Sequence, residues 1–195
     1  MKNNFSQTFW ETKYKSSFLG WDLGTVSTPL KAYIDQLKDK NTSILIPGAG
    51  NGYEVAYLHQ QGFKNVTVVE IAQQPLLNLV ERIPSFPKSN LIRSDFFEHD
   101  GQYDLILEQT FFCALSPLLR ESYVTQMHSL LKQSGKLVGL LFDFPLTESG
   151  PPFGGSENEY NKLFSRKFDK FTLERCYNSV EERRNTELFS IFEKK

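Results

Sequence analysis

Glycines at the tip of one apolar run and a carboxylate at the tip of the next form a combination able to grip a ribose. Residues 43–71, SILIPGAGNGYEVAYLHQQGFKNVTVVEI, hold such a pair. Gly48, Gly50 and Gly52 follow an apolar run and open a helical pattern. Missing side chains there let a ligand reach the backbone amides and the positive end of the helix. Glu70 closes the next apolar run, where a carboxylate in a Rossmann-like crevice can accept both hydroxyls of a ribose. A neutral adenosine group suits the two together. The alternative reading is a tight strand-to-helix turn made by the glycines, with Glu70 solvated.

NAD and S-adenosylmethionine both use such turns, and the spacing separates them. The dinucleotide fingerprint is Gly-x-Gly-x-x-Gly, and Tyr53 stands where its third glycine would fall. Gly-x-Gly-x-Gly instead resembles the first motif of Rossmann-like methyltransferases. In RSDFFE, Asp95 is placed to bond an adenine amino group, and Phe96 to pack on the ring or offer its amide.

The elements that must position these residues follow from periodicity. Residues 28–39 carry apolar side chains at helical spacing, with Thr28 as the expected N-cap and Pro29 at the first helical position. Short apolar runs at 43–46, 66–70, 90–93, 103–108 and 136–142 have the composition of strands buried on both faces. Helical patterns at 53–61, 73–81 and 118–131 lie between them, the alternation of a doubly wound parallel sheet. A Gly- and Pro-rich loop then leads into a short helix. FTLERCYNSV and NTELFSIFEK, flanking the charged turn EERRN, predict a terminal antiparallel hairpin. The expected fold is α/β: a Rossmann-like, three-layer α/β/α domain over residues 1–195, with a seven-stranded, mostly parallel sheet.

Composition narrows the partners. Twenty-two basic and 23 acidic residues leave a net charge of −1, so no global field points to nucleic acid or an anionic membrane. Cys113 and Cys176 stand far apart without metal-ligand spacing, which predicts neither a disulfide framework nor a metal site and suits a reducing cytoplasm. No apolar run approaches a bilayer span or a signal-peptide core. Seventeen Phe in 195 residues are consistent with a ring-lined pocket or with a thick aromatic core.

FWETKY with GWDLGTVSTPL, then ILIPGAGNG, SDFF, YDLILEQTFFCALSPLLRESY, LLKQSGKL and GPPFGGSENEY span nearly the whole chain. Their conjunction resembles the thiopurine S-methyltransferase-like family of class I S-adenosylmethionine-dependent methyltransferases, especially its halide and thiol methyltransferase branch. The resemblance implies an N-terminal segment, residues 1–40, folding over the cofactor with Trp10, Tyr14 and Trp21 near the sulfonium and the substrate. Together with those three rings it carries Gly48, Gly50, Glu70, Asp95 and Phe96 over as cofactor-binding residues, and also Glu108 and Gln109, which open the loop after the fourth strand. Tyr14 stands where the family commonly has a second Trp, and Gln109 where the branch often has Tyr. Arg120 matches the family arginine near the active site; it and Tyr14 are the catalytic candidates. Trp21, Phe111, Phe112 and Phe153 are the candidates for the substrate pocket.

The implied reaction is methyl transfer from S-adenosylmethionine, leaving S-adenosylhomocysteine, to a soft nucleophile: a thiol, sulfide, halide or thiopurine-like thiol. Stripping such nucleophiles of water in an aromatic cavity raises their reactivity. No metal is implied. His59, His99 and His128 lack a triad-like context, and none is nominated as a base. The apolar neighbours of Cys113 predict a buried thiol with a raised pKa rather than a nucleophile. A cofactor-binding protein without turnover is the alternative that Gln109 and Tyr14 keep open, followed by an NAD(P)-dependent oxidoreductase. The expected partner is a small molecule, with neither nucleic acid nor membrane, and the chain is expected to be a monomer or at most a weak homodimer.

Overall fold

A computed structural model of the chain describes residues 5–16 and 19–195; residues 1–4 and 17–18 of the expected covering segment lie outside them. The strands are β1 (Ile44–Pro47), β2 (Val66–Glu70), β3 (Leu91–Arg93), β4 (Tyr103–Gln109), β5 (Leu131–Phe142), β6 (Phe168–Arg175) and β7 (Glu187–Lys194). They form one seven-stranded sheet in the order β3-β2-β1-β4-β5-β7-β6. Neighbours are parallel from β3 to β5, and β7 runs antiparallel to both β5 and β6.

Alternation along the central strands fills both faces. Ile44 and Ile46 of β1, with Leu105 and Leu107 of β4, point into one core, while Leu45 and Ile106 point into the other. The first core is closed by α2 (Thr28–Asp35), α3 (Tyr53–Gln60) and α4 (Gln73–Arg82), through residues such as Leu30, Val55 and Leu79. The second is closed by α5 (Arg120–Leu130) and α6 (Glu157–Phe164), through Tyr123, Met127, Tyr160 and Phe164. Three layers result, as the sequence pattern predicts. The first helix, α1 (Gln7–Lys15), contributes no buried residue and rests against the start of α4.

Three local expectations change. The helix expected over 28–39 stops at Asp35: Gln36 and Leu37 donate back only three residues, to the Tyr33 and Ile34 carbonyls at 3.3 and 3.0 Å, and Asp39 then turns the chain by accepting the Asn41 N–H at 2.9 Å. Its N-cap is Ser27 rather than Thr28, and neither side chain caps it. The fifth strand begins at Leu131 rather than 136: Ser134 at φ +59° absorbs a register shift against Tyr103 and Leu105, and pairing resumes beyond it.

Sheet topology places the crevice. Strand order reverses between β1 and β4, and ligands of open α/β sheets bind outside the carboxyl ends of the strands at that point. The β5–β7 register pairs Phe142 with Glu187, so the connection before β7 returns to the same end of the sheet.

Candidate active site

A cavity of about 860 Å³ opens at that point, within the range of small-molecule sites. One end is built by the tips of β1 and β2. Gly48 and Gly50 adopt φ +57° and +53°, left-handed conformations that disfavour any side chain. A Cβ on Gly48 would clash with the edge of the Phe111 ring, and one on Gly50 would come 3.1 Å from the Tyr14 hydroxyl. Only bare backbone fits this cradle. Glu70, buried across from it, accepts the Gly50 N–H at 3.3 Å through Oε2 and the Ala72 N–H at 3.1 Å through Oε1. Burial pushes its carboxyl up to about 7 against the pull of these amides, and the charge of Glu11 adds to the rise. Asp95 and Phe96 complete this end; Asp95 accepts the Phe97 N–H at 2.9 Å, which fixes the turn after β3.

The other end is walled by rings from distant segments. Trp21 meets Trp10 and Tyr14 edge-on at 5.7 and 5.8 Å between centroids. Phe111, Phe142 and Phe144 line the cavity as well. Burial, with the charge of Glu70, pushes the Tyr14 phenol well above its ordinary range, so this hydroxyl is a proton donor to hydrogen bonds and not a base. Burial likewise pushes the Cys113 thiol up, in agreement with the sequence reading, although the residue does touch the cavity.

A polar cluster forms the floor there. With its amide nitrogen turned toward Ser27, Gln109 donates to Ser27 Oγ (2.9 Å) and Glu54 Oε1 (3.0 Å), and its oxygen accepts from Arg183 Nη1 (2.7 Å). Arg183 also donates to the Trp21 carbonyl at 2.7 Å and pairs with Glu187 at 3.4 Å. Glu54 accepts the Ser27 N–H at 3.0 Å; burial raises its pKa, while Ser27 and Arg183 counter the rise. Ser27 is thus turned inward, which accounts for its failure to cap α2.

The structure gathers Trp10, Tyr14, Trp21, Gly48, Gly50, Glu70, Asp95, Phe96, Gln109 and Phe111 around one cavity, and it does not bring the remaining candidates there. Arg120 is buried behind the pocket, paired with Glu159, donating to the Gly154 carbonyl at 2.6 Å and lying over the Phe112 ring. It fastens α5 to α6 and to the GPPFGG loop. Phe112 packs in the core between Tyr123 and Tyr160. Phe153 stands one ring back, its edge against Phe5, which does line the cavity. Glu108 lies beneath the wall, accepting the N–H groups of Phe111 and Phe112 at 3.0 Å each; burial raises it to about 7. It shapes the loop rather than facing a ligand.

Sequence reasoning passed over Glu54, Asp22 and Arg183. Arg183 lies in EERRN, whose composition matches any solvated turn, and only the antiparallel return of β7 carries it under the site. Asp22 accepts from the Asn51 amide and so ties the N-terminal segment to the glycine turn. Among the described residues no histidine lines the cavity: His99 bonds the Tyr103 hydroxyl at 2.8 Å, His59 the Ser85 hydroxyl, and His128 sets its ring against Phe168.

Strand order, antiparallel seventh strand and the acid facing a glycine turn define a class I S-adenosylmethionine-dependent methyltransferase fold. Solved structures agree on the fold. The Burkholderia thailandensis 1,6-didemethyltoxoflavin-N1-methyltransferase, crystallised with S-adenosylhomocysteine, superposes with a TM-score of 0.72 at 20% identity, covering 97% of this chain and 86% of that one. Among curated proteins, the probable thiol methyltransferase 2 of Arabidopsis thaliana is 29% identical over 159 residues, 79% of this chain and 70% of that protein. The thiopurine S-methyltransferase of Aliivibrio fischeri (strain ATCC 700601 / ES114) is 27% identical over 175 residues, 80% and 82% of the two chains. The model of the family Thiopurine S-methyltransferase (TPMT) matches residues 5–195. The chain belongs to that family and, with it, is an S-adenosylmethionine-dependent methyltransferase. NAD is thereby set aside.

The residues present fit the adenosyl cofactor. The cradle admits only backbone, Glu70 is a buried acceptor aimed across it, and Asp95 and Phe96 stand at the flank where an adenine would lie.

Proposed function

We propose that this enzyme methylates a small, soft nucleophile, a thiol-like substrate first of all, with sulfide, halide and thiopurine-like thiols as the range to be tested. The observation that carries this reading is the ring-walled end of the cavity, closed over by Trp10, Tyr14 and Trp21. Such a wall keeps water from the reacting atoms and holds an apolar or polarisable acceptor. The cofactor, when bound, supplies a methyl group already activated on a sulfonium. What remains for the chain is alignment and desolvation.

Glu70 would hold the ribose hydroxyls, and Asp95 with Phe96 the adenine. Gln109 and Arg183 then stand at the acceptor end, where a guanidinium flanked by Glu54 and Glu187 gives a polar floor without a strong excess of either charge. Neither the Tyr14 phenol nor the Cys113 thiol is suited to be a general base, since both are pushed up, and the raised carboxylate of Glu54 at this end is engaged by Ser27 and Gln109. A thiol acceptor with a pKa of about 8.5 supplies part of its own thiolate near neutral pH. The enzyme is proposed to act as a monomer on a small molecule in the cytoplasm; two free buried cysteines support the reducing compartment. Among the described residues, no helix is long and apolar enough to cross a membrane.

Labelled S-adenosylmethionine with a panel of bisulfide, thiocyanate, iodide and aryl thiols tests the proposal. Methylated thiol is the expected product. Tight cofactor binding without product from any member would favour a cofactor-binding protein that does not turn over.

A further inference from the structure

The helix that carries Trp10 and Tyr14 has little of its own to hold it in place. α1 spans 9 residues and buries none of them. A helix of that length is marginal alone in water, so its position depends on what it touches. On one side its rings meet Trp21; on the other, Glu11 reaches across to the start of α4, where Oε1 accepts the Gln73 N–H at 2.6 Å with Arg93 at 3.5 Å.

That reach fills a gap in α4. Its N-cap position is Ala72, which has no oxygen to offer the first free amides of the helix. Two carboxylates from elsewhere serve instead: Glu70 takes the Ala72 N–H and Glu11 the Gln73 N–H. Adjacent amides of one turn are therefore shared between the acid proposed for the ribose and the helix that roofs the cavity. Both anions gain from the positive end of α4, and Arg93 offsets part of their mutual repulsion. Side-chain exposure of 17% makes Glu11 a largely covered contact rather than a solvated surface pair.

We infer that Glu11 is a positioning residue, a clasp that seats α1 over the bound cofactor by capping α4. Trp10 and Tyr14, one turn apart, face the cavity, while Glu11 beside Trp10 faces α4, so engaging the clasp sets the orientation of both rings. The inference rests on the adenosyl cofactor lying in this cavity. Releasing the clasp loosens the roof and removes one charge from beside Glu70, while the glycine backbone of the cradle stays in place.

Calorimetric titration of S-adenosylhomocysteine, with steady-state kinetics and an apo-protein melt, tests this on Glu11→Ala and Glu11→Gln. Loss of one charge-assisted hydrogen bond predicts about tenfold weaker binding for Glu11→Ala. The Michaelis constant for S-adenosylmethionine rises alongside, while kcat falls less than threefold and the apo melt stays near wild type. Glu11→Gln keeps an acceptor for Gln73 but no charge for Arg93, and falls between the two. Equal affinity for wild type and Glu11→Ala would overturn the clasp. So would a loss of kcat, or of apo stability, that accounts for the whole effect in both variants. Failure of wild type itself to bind S-adenosylhomocysteine would instead remove the cofactor assignment on which the clasp depends.

Discussion

The two ends of the cavity are made in different ways. The cofactor end comes from adjacent strand tips, with Gly48, Gly50 and Glu70 lying within one strand–helix–strand unit and locked by the β1–β2 register. The acceptor end is assembled from the N-terminal segment, the loop after β4 and the connection before β7, joined by Arg183 to Trp21 across 162 residues of sequence. Sheet-borne geometry is rigid and common to a fold; loop-borne geometry can change acceptor without disturbing the cofactor. Cofactor chemistry should therefore be sensitive to changes in a few backbone-limited positions, and substrate preference to changes in the remote segments.

The largest effect is expected at the cradle. Gly48→Ala must displace the Phe111 ring from a left-handed backbone position, at a cost of about 1–3 kcal/mol for overpacking plus roughly 1 kcal/mol for strain. Calorimetry should find affinity for S-adenosylhomocysteine reduced by up to about 100-fold, since part of this cost falls on the bound geometry. Next, Glu70→Gln retains one acceptor and loses the charge. At about 1.5–3 kcal/mol per charge-assisted bond, the Michaelis constant for the cofactor should rise about 10- to 100-fold, with the preference among acceptors unaltered. A changed preference there would mean that the two ends are not separable.

Arg183→Met probes the opposite end. It frees the Trp21 carbonyl and leaves Glu54 and Glu187 buried with less compensation, so the Michaelis constant for a thiol acceptor should rise about tenfold, more than that for the cofactor. Arg120→Met marks the boundary of the site. A melt should show about 1–3 kcal/mol lost, because the Gly154 carbonyl and Glu159 lose their donor, while kcat per folded molecule holds.

The smallest effect is that of pH. Glu70 is raised to about 7, above its unfolded value, so the stability associated with its protonated form is present at low pH and lost as pH climbs through 7. Glu108 titrates in the same direction and window. Ribose hydroxyls favour the ionised Glu70. Melts should thus show a less stable apo protein at pH 8 than at pH 6, and calorimetry about tenfold tighter cofactor binding at pH 8. Glu70→Gln should flatten the binding dependence.

Legibility in the sequence follows the same division. Apolar runs alternating with helical patterns place β2 at Val66–Glu70 and start α3 at Tyr53 and α4 at Gln73, because strands buried on both faces and helices with an apolar stripe leave strong local signals. The glycine turn and its acid are likewise local. Arg183 leaves no such signal, since its place depends on β7 entering the sheet antiparallel between β5 and β6. Nor does Glu11, whose partner is a backbone amide left uncapped 62 residues away. Arg120 and Phe112 show the converse: family motifs bring them to the neighbourhood of the site, but burial turns both side chains into the packing behind it.

A crystal structure with S-adenosylhomocysteine and a thiol acceptor analogue tests the central claim most directly. Ribose hydroxyls on Glu70, displacing its bond to the Gly50 N–H, with the sulfur directed at the acceptor between Trp21 and Gln109, is the predicted arrangement. A ligand lying elsewhere, or Glu70 still bound to Gly50 with the sulfur facing open solvent, would contradict it.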